Sequence, residues 1–330
     1  MGNKRLIPAL SLGLMLVTVM FIALLVGGSH IPSRDVINAL LNPRGAGVFH
    51  TLVWDVRLPR IVLGTVVGAA LAGCGVVFQA ILRNPLAEPY TLGVSGGGAL
   101  GASLYIVLGI GGLGMVGMSI GGCLISIFTV YTIASKKNFS NTVLILAGVI
   151  FSFLFSSLVM LIFSLSSTRD VYAAVIWLMG SLSSADTRLV WLVSILASSA
   201  LIFLLFFSRD LDLLSLGDER ATYLGLDARR SKVFFFILAS FVTALCVAVA
   251  GVISFVGLII PHFTRKLVGP SHGGMLPCAM LAGSSFLVTC DTVSQRLLRP
   301  VELPVGVITG IAGGVFFLLF LLRKDWWGYD

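Results

Sequence analysis

The chain has 330 residues, of which 57% are hydrophobic and only 11% charged, with a formal net charge of +8 and a mean hydropathy of +1.04. A soluble domain carries about a quarter charged residues, so a water-soluble globule is excluded. Five cysteines without a CxxC pair read as small buried hydrophobes, and four histidines show no ligand spacing, so no metal site and no bound cofactor is expected.

The first apolar segment, residues 6–27, follows Lys4 and Arg5. It is longer than a signal-peptide core and no small-x-small cleavage pattern follows, so a retained helix is expected. Further segments follow at 57–82, 90–108, 113–134, 142–165, 190–208, 232–252, 258–268, 275–294 and 304–322. Together they make about ten membrane-embedded helices, the eighth too short to cross about 30 Å of hydrocarbon. The runs are continuous and lack the apolar/polar alternation of a barrel strand. The expected fold is therefore an all-α polytopic membrane protein, one domain over 1–330. With the amino terminus inside, most of the 22 Lys and Arg residues fall on the cytoplasmic side and both termini are cytoplasmic. Membrane topology thus accounts for the basic charge without a nucleic-acid partner.

At the start of the second segment, Arg57-Leu58-Pro59-Arg60 puts Pro59 in a first turn and two cations on one face. Those cations, with Arg296 and Arg299 on the same outer side, oppose the local helix dipole and favour an anion nearby. Lipid headgroup phosphate and an acidic external protein both meet that need.

Residues 81–98, ILRNPLAEPYTLGVSGGG, interrupt the apolar pattern. Shifting the chain by 176 residues lays Gly75 on Gly251, Pro85 on Pro261, Gly93 on Gly269 and Ser95 on Ser271. The copies begin five helices apart, so they cross in opposite senses: an inverted repeat of helices 2–5 (57–165) and 7–10 (232–322), a transporter signature with helix breaks at Pro85 and Pro261. A catalytic G-x-S-x-G elbow is rejected, because strand-turn-helix context and triad partners are absent.

The segment 208–232 is the longest charged stretch, and the topology places it in the cytoplasm. Asp218 is expected to cap a short helix that Gly225 stops, exposing Ala221, Tyr223 and Leu224. A solvated linker and a docking element for a cytoplasmic partner fit equally.

These stretches, with Trp177–Leu182, 216–227, 251–272 and Glu302-Leu303-Pro304-Val305-Gly306, resemble the FecCD-type permeases of bacterial ABC importers for iron-siderophores, haem and cobalamin. The resemblance runs over nearly the whole chain. It implies an inner-membrane homodimer with the pathway along its axis, two cytoplasmic ATPase subunits holding ATP and Mg, and an extracytoplasmic substrate-binding protein. It further implies coupling to the ATPase through Leu216, Gly217, Asp218, Ala221, Tyr223, Leu224 and Gly225. Docking of the binding protein falls to Arg57, Arg60 and Arg296, and the cytoplasmic gate to Asn84, Leu86, Asn141 and Thr142. Val315 stands where the family usually has proline, which implies a changed bend in the last helix.

The chain carries no Walker motif, so any ATP hydrolysis belongs to a partner. In the fifth segment Ser152, Ser156, Met160 and Phe163 share a face that suits a large, partly apolar chelate, or ordinary helix packing. The alternative reading is an autonomous secondary transporter with inverted repeats, which needs intramembrane carboxylates; Glu88 and Asp291 are the candidates, both near segment ends.

Overall fold

The computed structural model describes residues 3–28, 31–42, 45, 47–109, 114–183 and 186–322. Both termini, and with them the expectation that they are cytoplasmic, lie outside these residues, as do His30, Arg44, Arg323 and Lys324.

The described residues form helices joined by irregular connections: α1 (Asn3–Val26), α2 (Ser33–Leu41), α3 (Val48–Thr51), a π-helical turn (Leu52–Arg57), α4 (Leu58–Leu82), α5 (Val94–Val107), α6 (Gly114–Ser135) and α7 (Asn141–Ser164). Then come α8 (Thr168–Leu178), α9 (Thr187–Phe206), α10 (Ser208–Ser215), α11 (Asp218–Tyr223), α12 (Ala228–Ala250), α13 (Val256–Val268), α14 (His272–Ser294) and α15 (Val305–Leu322). The ten expected segments are α1, α4, α5, α6, α7, α9, α12, α13, α14 and α15, close to their expected bounds. Among the described residues seven helices are long and apolar enough to cross a membrane, and α5 and α15 are shorter apolar helices. α15 runs unbroken through Val315.

Helices α4, α12 and α14 are buried on nearly every side and form the centre, whereas α1, α6, α7 and α9 keep wide apolar faces open. A helix apolar all round belongs in a core or in lipid, and here both fates occur. Glycines bring the central helices together. A Cβ on Gly68 of α4 would overlap the Gly283 carbonyl of α14, and one on Gly75 would overlap the Gly257 carbonyl of α13. Such contacts replace the hydrophobic driving force that lipid does not supply.

The bundle has two ends. At one, α4 finishes and α7, α12 and α14 begin; it carries the segment 208–227 and is called the knob end. At the other, the far end, α1 and α14 finish and α4 and α15 begin.

The break at Pro85 falls in a turn after α4, with Arg83 left-handed (φ 50°). Pro261 is a correction: it lies inside α13 and breaks nothing. Because proline has no N–H, it leaves the Gly257 carbonyl without its helical donor, and that carbonyl packs on the bare Cα of Gly75. The second break is at Gly251–Phe255, between α12 and α13, with Gly251 and Phe255 both at φ 69°. The 176-residue shift therefore does not carry helix onto helix, because Gly93 opens α5 whereas Gly269 closes α13. α5 and α13 are alike instead as two short helices that each follow irregular backbone and open on a left-handed residue, Gly93 or Phe255. The two irregular segments meet. Ile253 N–H donates to Tyr90 Oη (3.1 Å), the Glu88 carboxylate accepts from the Phe255 amide, and Pro89 lies against Gly257. Trp177–Leu182 covers the same break, with Ser181 N–H on the Ala250 carbonyl (2.9 Å). Irregular backbone at this depth is tolerable because protein covers it.

Candidate functional site

At the knob end α10 and α11 form a compact two-helix projection. Leu211, Leu214 and Ala221 are buried beneath it, while Leu216, Leu224 and above all Tyr223, 89% exposed, stand out. Ala221 was expected at the surface; it faces inward because α11 lays that side on the bundle. Gly217 (φ 109°) and Gly225 (φ 89°) bound α11 in conformations that favour glycine, so Gly225 stops the helix as expected. Asp218 does not cap α11, whose N-cap is Gly217. Its carboxylate turns instead to Lys232 in the second turn of α12 (2.6 Å).

Three aspartates fasten this segment. Asp212 accepts from the His272 amide (2.8 Å) and pairs with His272 Nδ1 (2.7 Å), holding the start of α14. Asp218 holds Lys232, and Asp227 caps α12 by accepting from Arg230 N–H (3.0 Å). Carboxylates at helix N-termini also complement the helix dipole.

Beside the projection, Asn84 Oδ1 accepts from Leu86 N–H (3.0 Å), shaping the turn that exposes Pro85 and Leu86. Asn141, the first residue of α7, donates to the Leu82 carbonyl at the end of α4 (2.9 Å), and Thr142 next to it is exposed. The expected gate residues are thus gathered at one place. On α7 the open side runs through Thr142, Leu146, Ile150, Phe153, Ser156 and Met160. Ser152, which bonds the Gly148 carbonyl (2.9 Å), and Phe163 sit half-buried at its edge.

At the far end the arginines have partners within the chain. Arg57 is buried and donates to the Leu24 carbonyl (2.6 Å), Arg296 bonds the Val26 carbonyl, and Arg299 bonds the Gly27 carbonyl (2.7 Å). Together they neutralise the unsatisfied carbonyls that end α1. Arg60 makes a bidentate contact with buried Asp291 (2.9 Å) and a single one with exposed Glu302 (2.8 Å). A cavity of about 210 Å³ lies among Arg57, Arg60, Asp291, Gln295 and Glu302. Asp291, a carboxylate that an ion-coupled transporter would use, is thus engaged in a structural pair.

Sequence reasoning missed Lys232, Asp212 and the short helices α2 and α8. Ser167-x-x-Asp170, whose Asp170 amide bonds Ser167 Oγ, was a readable N-terminal signal for α8. Nothing local marks Lys232 as buried.

The profile of the FecCD transport family matches residues 15–323. The chain belongs to the FecCD transport family. Among curated FecCD relatives, a hemin transport system permease protein of Yersinia pestis is 36% identical over 333 residues, covering 98% of each chain. A cobalamin import system permease protein of Halobacterium salinarum is 40% identical over 279 residues, 83% of this chain and 74% of that one. A solved structure of a metal-chelate type ABC transporter in an inward-facing conformation superposes with a TM-score of 0.85 at 33% identity, covering 97% of this chain and 99% of the other. This FecCD chain is thus a polytopic, all-helical ABC transporter permease.

Proposed function

We propose that the chain is the membrane-spanning subunit of an ATP-driven importer that brings an iron chelate, haem or a cobalamin-type compound into the cytoplasm. The observation that carries this reading is the projection at the knob end. Its underside is fixed by buried leucines and aspartate contacts, and its tip offers Tyr223, Leu224 and Leu216 to a partner. A rigid aromatic and aliphatic tip on a charged base suits insertion into a groove of another protein. The partner is a pair of cytoplasmic ATPase subunits, which hold ATP and Mg, since this chain has no P-loop.

The knob end is then cytoplasmic, in keeping with Arg83, Lys136, Lys137, Arg209, Arg220, Arg229 and Arg230 near it. The membrane is the cell's inner membrane, with both termini cytoplasmic. Two copies pair through open apolar faces, and the open side of α7 lines the pathway between them, with Asn84, Leu86, Asn141 and Thr142 at its inner mouth. The far end receives a substrate-binding protein. There an incoming carboxylate competes with exposed Glu302 for Arg60, while Asp291 stays buried behind it.

The test is reconstitution in proteoliposomes with the co-purifying ATPase and binding protein, offering hemin, a ferric hydroxamate and cyanocobalamin in turn. ATP-dependent accumulation of one of them is expected. Uptake driven by an ion gradient without ATP would replace this reading with that of a secondary transporter.

A further inference from the structure

Lys232 is buried in the second turn of α12, with its side chain 2% exposed. A buried ammonium needs partners, and one near a helix N-terminus also opposes the dipole. Two groups satisfy it. Nζ donates to Asp218 Oδ2 of α11 (2.6 Å) and to Asn141 Oδ1 of α7 (2.8 Å). Asn141 passes the connection on, because its amide donates to the Leu82 carbonyl that ends α4 (2.9 Å). One lysine therefore ties the projection, the start of α7 and the end of α4 into a continuous polar chain. The residues on either side of that chain differ in kind: Tyr223 and Leu224 at the exposed tip, Asn84 to Leu86 at the mouth.

A second strut runs alongside. Arg83, the residue after Leu82, brings its guanidinium to 4.0 Å from Asp218 Oδ1, and that buried oxygen has no hydrogen bond in this conformation. The carboxylate thus holds Lys232 firmly with one oxygen and faces Arg83 loosely with the other.

We propose that Lys232 is the positioning residue that transmits movement of the 216–225 projection to the mouth formed by Asn84, Leu86 and the start of α7. The inference rests on the importer reading above and adds a residue that it lacks. Coupling between sites is carried along contiguous hydrogen-bonded networks, and Asp218, Lys232, Asn141 and the Leu82 carbonyl form one by direct bonds.

The experiment uses the full-length permease with its co-purified ATPase in lipid nanodiscs. Leu86→Cys carries a spin label, and the label-to-label distance between the two copies is measured with and without ATP and vanadate, alongside the ATPase rate. Lys232→Met removes the ammonium and replaces it with an apolar chain of similar length, leaving half-exposed Asp218 to water. Assembly with the ATPase and hydrolysis are expected to persist, while the fraction of mouths that respond to nucleotide falls about tenfold or more. Asn141→Leu, which keeps the Lys232–Asp218 pair, should give the same loss, and the double variant should be no worse than either single one. A lysine that only stabilised the fold would lower thermal stability yet leave the response of the mouth intact, and that result overturns the proposal. If Lys232→Met does not assemble, an intact response in Asn141→Leu overturns it equally. No nucleotide response in the unmodified complex would overturn the importer reading itself, and the transmission role with it.

Discussion

At the far end three guanidinium groups, on Arg57, Arg296 and Arg299, reach the last carbonyls of α1, while at the knob end three carboxylates, on Asp212, Asp218 and Asp227, reach the starts of α14 and α12. Both arrangements follow the helix dipole, with cations where helices finish and anions where they begin. The difference lies in what is bonded. The arginines hold backbone of a single helix, and behind them Arg60 and Asp291 form a pair hidden from water. The aspartates hold side chains or caps on separate helices, and their own carboxylates are partly exposed. The far end is thus built as a clamp on one helix, and the knob end as a set of partly exposed ties between helices.

The largest expected effect lies in the clamp. Arg60→Ala leaves Asp291 buried without its cation, and breaking a buried pair costs about 3–5 kcal/mol. Unfolding in detergent should show that loss, and the double variant Arg60→Ala/Asp291→Ala should recover part of it. A smaller loss is expected from Asp212→Ala, which removes the group that accepts from the first amide of α14. A lost cap is worth about 1 kcal/mol, and the 38% exposure of the Asp212 side chain argues against more. The smallest effect on stability should come from Leu224→Glu at the exposed tip, within about 0.5 kcal/mol. That variant should nevertheless abolish ATP-dependent uptake in proteoliposomes. A strongly destabilised Leu224→Glu, or an Arg60→Ala as stable as the parent, would erase the contrast between the ends.

The spans were legible in the sequence because hydrocarbon thickness imposes a length, and runs such as 142–165 meet it without interruption. Helices α2 and α8 were not, because they are short and amphipathic and resemble loops to any search for long apolar runs. Pro261 misled for a physical reason: a proline early in a helix costs one bond, and here a glycine on α4 accommodates the freed carbonyl. Among site residues, the gathering of Asn84, Leu86, Asn141 and Thr142 was expected from the family resemblance. Burial was harder to foresee. Ala221 points inward and Lys232 is enclosed because of helices far away in sequence, and a lysine near a helix start ordinarily reads as one that reaches out to water. Arg60 and Asp291 are 231 positions apart, so no local pattern announces their pairing.

The meeting of the two irregular segments bears on how the protein is made. Tyr90 and Glu88 belong to the first half of the chain, and the amides of Ile253 and Phe255 that they satisfy belong to the second. A ribosome delivers the first half while those amides do not yet exist. The early spans therefore enter the bilayer with acceptors waiting, and the late spans arrive with donors that only the early ones can cover. Closure of this contact needs both halves of the polypeptide. A chain cut between the halves would leave each part with bare polar backbone or bare acceptors in the membrane, an appropriate target for quality-control proteases.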